Sequence, residues 1–269
     1  MLKQVGIITL LFVSSVAAAP AAPTHAHVDL AALKTALESG DEARTLGALG
    51  EVESSADVAA VPLVVALLGR GASPKILVRA LGVSGALAKE SSSATIAPYV
   101  MHRNAEVRRA AVQALIRTKG APAVKALRQA LRGSDPALRG VAADGLGALG
   151  VREAVPDLFV VLPRNVPEAA GAIGTLCEAG DCEKFLALLG KLPFDTMQSG
   201  FLPLLLRPTP EVPEKVKFEA IERLRLLATS AANELLQTAL TSYPKNGSEK
   251  VRRAIDAALH GHAVSGDGE

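Results

Sequence analysis

Rings are scarce in this chain. Of 269 residues only 3% are Phe, Tyr or Trp, and Trp is missing altogether. A ligand-binding core assembled from aromatic side chains is therefore not expected. Hydrophobic residues still make up 49%, so Ala, Leu and Val carry the packing, and such small or branched side chains suit closely stacked helices. Cysteine is nearly missing too: Cys177 and Cys182 are the only two, too few for a cysteine zinc site. No long alternating apolar and polar run occurs, which excludes a sheet protein. The sequence has no G-x-S-x-G elbow, no P-loop, no glycine-rich dinucleotide turn and no H-E-x-x-H, so the expectation is a chain that is not an enzyme and holds no cofactor. Excess charge is also lacking, with a formal net of +2, which argues against general nucleic-acid binding.

Histidine offers no metal centre. His25 and His27 stand near one end, His260 and His262 near the other, and His102 alone between them. Neither pair brings a third ligand at helical spacing, so no metal site is assigned.

The first residues read as an export signal. Lys3 supplies positive charge, residues 5–16 are apolar, and Ala17, Ala18 and Ala19 offer small side chains for cleavage. Proline in the first mature position blocks cleavage, so Pro20 and Pro23 favour a cut after Ala17 or Ala18. The apolar run falls short of the roughly 20 residues that span a bilayer, so no transmembrane segment is expected in the mature chain. No Cys follows the run, which leaves no lipoprotein anchor. The expected organisation is a signal peptide over 1–18, a linker over 19–28, a folded region over 29–260 and a disordered tail over 261–269. Export to the periplasm or beyond places Cys177 and Cys182 in an oxidising compartment. There a disulfide is favoured over two thiols.

The pentapeptide LGALG occurs at 46–50 and again at 146–150. Self-comparison explains the recurrence. Val107, Arg108, Ala111, Leu115, Val124 and Leu131 each have a counterpart 31 residues on, in Leu138, Arg139, Ala142, Leu146, Val155 and Leu162. The next copy follows at an offset of 30, pairing Ala142 with Ala172, Leu146 with Leu176 and Gly150 with Gly180. Val216, Ala220, Leu224 and Leu240 lie 109 beyond Val107, Ala111, Leu115 and Leu131, and Val251 to Leu259 restart the pattern at an offset of 144. Matches in register along the chain mark a repeat. Within a unit, Val107, Ala111 and Leu115 trace one helical stripe, and Val124, Leu127 and Leu131 trace a second helix behind it. Ser73 before Pro74 and Asp135 before Pro136 read as helix starts. Gly120, Gly150 and Gly180 read as C-terminal turns of positive φ. Residues 194–213, with their extra prolines, read as a longer connection between units.

This unit resembles the HEAT-like repeat, in the bacterial type first noted in phycobilin lyases. The resemblance rests on EVRRAAVQAL at 106–115, DPALRGVAADGLGALGVREAVPDL at 135–158 and KVRRAIDAAL at 250–259. It implies an all-α fold, a right-handed α-solenoid of about six to seven stacked antiparallel helix pairs, each contacting only its neighbours. It also implies that Arg108, Arg139 and Arg252 are structural, pairing with carboxylates between neighbouring units. The iron-dependent hydroxylases of the family carry His-Glu pairs; this chain has no His-Glu dipeptide, so that activity does not transfer. Neither does bilin attachment, because the likeness is confined to the repeat.

Charge is uneven along the array. Residues 103–139 hold nine basic side chains against two acidic, a net of +7, while residues 29–57 hold seven acidic against two basic, a net of −5. Lys125, Arg128 and Arg132 line one side of a second helix, and in the family second helices pave the concave face. These three are the candidate partner-binding residues, suited to an acidic segment of a protein partner or to an anionic polymer at the cell surface. The functional expectation is an exported, non-catalytic interaction scaffold without a small-molecule substrate. A nucleic-acid-binding or base-repair solenoid and a lipid-carrying superhelix are the alternatives.

Overall fold

A computed structural model describes residues 27–262. The expected signal peptide, the expected linker as far as residue 26 and the expected tail beyond residue 262 lie outside the described residues. Described helices follow one another in the order α1 Leu30–Glu38, α2 Glu42–Ser55, α3 Val61–Arg70, α4 Pro74–Leu87, α5 Ser93–Ile96, α6 Ala105–Thr118, α7 Gly120–Arg132 and α8 Pro136–Ala148. Then come α9 Val155–Val161, α10 Pro167–Leu176, α11 Ala179–Leu186, α12 Phe194–Leu206, α13 Glu214–Leu227, α14 Ser230–Ser242 and α15 Glu249–Leu259. Short 3₁₀ turns extend several of them, among them Ala97–Met101 after α5 and Leu162–Arg164 after α9. There is no strand among the described residues; an isolated bridge joins Leu189 to Leu192.

Local chemistry sets the helix starts. Asp29, Asp41, Ser73, Asn104, Asp135, Thr229 and Ser248 each accept a hydrogen bond from a first-turn N–H of the helix that follows. Such a cap contributes about 1 kcal/mol. Ser73 and Asp135 stand where the sequence places them, with Pro74 and Pro136 in the first helical position. Gly120 and Gly150 take the expected positive φ, 84° and 71°. Gly180 does not: α10 has already ended at Cys177 in extended backbone, and Gly180 lies inside the first turn of α11.

The helices form an all-α solenoid of stacked pairs. First helices α2, α4, α6, α8 and α10 stand side by side in one row, and α1, α3, α5, α7 and α9 in the second. The repeat stripe is the core: Val107, Ala111, Leu115, Ala142, Leu146, Leu127, Leu131, Leu158 and Leu162 are fully buried. Each buried Leu or Val contributes about 1.5–3 kcal/mol, and it does so only with the neighbouring unit in place. Val124 departs from the expected stripe, being only partly buried.

The segment expected as a longer connection is instead a helix for most of its length. In α12, Met197, Gly200, Phe201, Leu204 and Leu205 are buried at i, i+3, i+4, i+7 and i+8, a full amphipathic stripe. Its prolines are compatible with this, since Pro193 precedes the first turn and only Pro203 sits inside. The price of Pro203 is one lost backbone hydrogen bond, outweighed by burial of the stripe. Helix α12 docks on α10 at backbone distance: a Cβ placed on Gly174 would fall 2.0 Å from the Gly200 carbonyl oxygen. Phe185 and Phe194 close over the joint, with ring centroids 5.4 and 6.1 Å from Phe201.

This helix shifts the phase of the array. Helix α12 takes the place after α10 in the first row and α14 follows it, whereas α13 and α15 pack in line with α11. Helices α13 and α15 carry the stripe of a first helix, yet occupy the row of second helices.

Candidate partner-binding cleft

The predicted basic residues lie together. Lys125, Arg128 and Arg132 of α7 line a surface cleft of about 830 Å³ with Ala121, Val124 and Gln129 of the same helix. The facing wall is Gly150, Val151 and Glu153, from the connection between α8 and α9. Gly150 in its left-handed conformation turns the chain sharply there, which brings the next unit's loop alongside α7.

Two of the three cations are committed inside the protein. Asp157, on α9, takes the Arg128 Nε at 2.6 Å and the Arg132 Nη2 at 2.6 Å, one guanidinium on each carboxylate oxygen. Its side chain is only 12% exposed. Burial pushes its pKa up, but the guanidinium groups of Arg132 and Arg128 outweigh that and hold it below the ordinary Asp value. Lys125 is exposed and makes no ion pair among the described residues. The three residues therefore present less positive charge than their count suggests. Charge read along 103–139 misses Asp157 because it belongs to the following unit; the offset of about one repeat between Arg128 and Asp157 is the signal that could have found it.

The acidic first segment is compensated in the same way. Glu38 pairs with Arg70, Glu42 with Lys75 and Glu53 with Arg79, each across one unit. Asp57 accepts from the backbone N–H groups of Ala59 and Val28 and pairs with His27, which hold its pKa down. The described end of the expected linker is thus tied to the array.

Arg108 donates to the carbonyls of His102 and Arg103 and reaches Asp135 of the next unit at 2.8 Å. Arg139 makes the equivalent bond to the Gly133 carbonyl at 3.0 Å but has no carboxylate partner, because Val166 stands where an acidic cap would be needed. Arg252 pairs with Glu249 in its own helix. The shared role at Arg108 and Arg139 is to clamp the loop before the helix; the bridge to the next unit is confined to Arg108. Lys217 lies 109 beyond Arg108 and repeats the clamp: its Nζ donates to the Arg207 carbonyl. It is buried, which together with the nearby Arg207 charge pushes its pKa down to about 8. Arg207 in turn donates to the carbonyls of Gly174 and Cys177. The sulfurs of Cys177 and Cys182 are at bonding distance, 2.10 Å, across the turn from α10 to α11.

No helix among the described residues is long and apolar enough to cross a membrane. No family model matches the chain, and no curated protein matches it. Among solved structures it is similar to the complex of CpcE and CpcF of phycocyanin lyase from a Nostoc species. Identity is 19%, the TM-score is 0.47, and 92% of this chain and 99% of that one are covered. It is also similar to an engineered protein at 19% identity and a TM-score of 0.39, covering 87% of this chain and 96% of the other. The expectation that the chain is not an enzyme is withdrawn, since a structure it is similar to belongs to a lyase complex. In fold the chain is an all-α solenoid of stacked helix pairs.

Proposed function

We propose that this protein is an exported recognition module that holds a segment of a partner protein against the second-helix face of its solenoid. That face is the concave one by the family resemblance. The reading is carried by the cleft between α7 and the α8–α9 connection, where Lys125 stands unpaired beside the Arg128–Asp157–Arg132 cluster and above the apolar Val124 and Val151. A carboxylate of the partner is the natural contact for Lys125 and for the outer edge of Arg132, whose side chain is 60% exposed despite its ion pair. Preorganised guanidinium groups lose little freedom on binding, and charge complementarity speeds capture.

Export is proposed on separate grounds: the Lys3 start, the apolar run and the three alanines of the first 19 residues. Mass spectrometry of chain isolated from the envelope should find a mature N-terminus at residue 18 or 19, and an intact Met1 would remove this part of the reading.

Recognition is tested with Lys125→Glu, because reversing Arg128 or Arg132 would set two carboxylates against each other at Asp157. Affinity capture from the envelope fraction with the wild-type chain and with this variant should show one partner lost from the variant. Equal recovery of every captured protein would end the assignment of the cleft.

A further inference from the structure

Resting on the recognition reading above, we propose that the cleft selects a bipolar polypeptide segment. Such a segment carries one acidic and one basic side chain, flanking an aliphatic residue, and is not a run of acids.

The argument starts from which polar groups are already used. Arg128 and Arg132 share Asp157, and the backbone of the facing wall is occupied, with Val151 N–H bonded to the Leu146 carbonyl and Arg152 N–H to the Gly150 carbonyl. The side chains of the lining that have no partner among the described residues are Lys125, Gln129 and Glu153. One is a cation, one an anion and one a neutral amide able to meet a peptide group. Counting the whole lining with Asp157, three positive charges face two negative, a net of +1. A site for a polyanion gathers several uncompensated cations; this one offers one, and an uncompensated carboxylate opposite. A row of acids would gain at Lys125 and be repelled at Glu153.

The apolar part of the lining is Ala121, Val124 and Val151. No aromatic ring is among the lining residues, so a flat ligand gains no stacking, whereas an aliphatic side chain finds partners of its own kind. Lys125 stands on α7 and Glu153 on the far wall, so complementary charges on the ligand must lie on opposite sides of that aliphatic residue.

A phage-displayed library of random heptapeptides, selected on the full chain and on its Lys125→Glu and Glu153→Lys variants, tests this directly. Both positions are exposed and without internal partners, so the variants are expected to fold, which circular dichroism checks. The wild type should enrich peptides with one acid, one aliphatic residue and one base. The Lys125→Glu variant should lose the preference for the acid and the Glu153→Lys variant the preference for the base. Each variant should bind the wild-type peptide about 2- to 5-fold more weakly, the size of one lost exposed ion pair. Enrichment of runs of acids, or a consensus unmoved by Glu153→Lys, overturns the bipolar segment while leaving recognition at the cleft standing. Failure to enrich any peptide on the wild type overturns both.

Discussion

The centre of the array and its C-terminal part are built from the same stripe and held by different means. From α6 to α9 the joints between units are electrostatic at the rim: Arg108 reaches Asp135, and Arg128 and Arg132 reach Asp157. From α10 to α13 the joint is steric. Gly174 meets Gly200 at backbone distance, Phe185 and Phe194 pack on Phe201, and the clamp is a buried ammonium, Lys217. Three of the chain's eight Phe and Tyr rings, Phe185, Phe194 and Phe201, gather where regularity breaks. The difference teaches that a repeat can tolerate an irregular helix when close backbone contact and large side chains replace the bridges between units.

If that contrast is right, the largest effect belongs to the steric joint. Gly174→Val should place atoms into the Gly200 carbonyl and cost about 3 kcal/mol or more, seen in urea unfolding as a lower midpoint; a loss under 1 kcal/mol would mean the helices are not so close. Asp157→Asn should cost less, about 1–3 kcal/mol, by leaving the partly buried Arg128 and the more exposed Arg132 without their anion. It should also reduce the loss of wild-type stability in acid: with the folded pKa lowered, this carboxylate's contribution is present above its unfolded value and fades as pH falls through the folded one. Unchanged acid unfolding in the variant would show that Asp157 is not the anchor described.

Lys217 gives the same sign of slope, but at alkaline pH and because its charged form is the one folding disfavours. Its pKa near 8 lies below the unfolded value of 10.5, so between these pH values the unfolded chain binds the extra proton and stability rises with pH. The gain from pH 8 to 9.5 should be on the order of 1 kcal/mol in the wild type and missing in Lys217→Met, as thermal melts at the two pH values would reveal. Identical slopes would refute the buried ammonium. The smallest effect sits outside both regions. A Cβ on Gly82, in the middle of α4, meets nothing within 4 Å, so Gly82→Ala should stabilise by about 1 kcal/mol from helix propensity alone.

The stacked helix pairs were legible because the information is local. Ser73, Asp135 and the stripe from Val107 to Leu162 act within one helix or on the next, at a fixed offset. Helix α12 was hidden by its prolines: five between 193 and 213 read as breakers, although Met197, Gly200, Phe201 and Leu204 already spell an amphipathic face. At the cleft, the three cations could be placed on one helix side, but not their neutralisation. That depends on a carboxylate one unit away, and a charge count along the chain does not fold the next unit over the last. Lys217 was within reach of the offset of 109, yet a lysine in an arginine's place draws no notice until its burial is known.

One inserted helix also has an effect at a distance. Beyond α12 the array is turned over, so side chains that share a repeat position with α6 and α8 point from the other face of the molecule. A surface shared by the early units is thereby interrupted at α13, and a binding partner that tracks equivalent positions along the chain would have to let go there or cross to the opposite side.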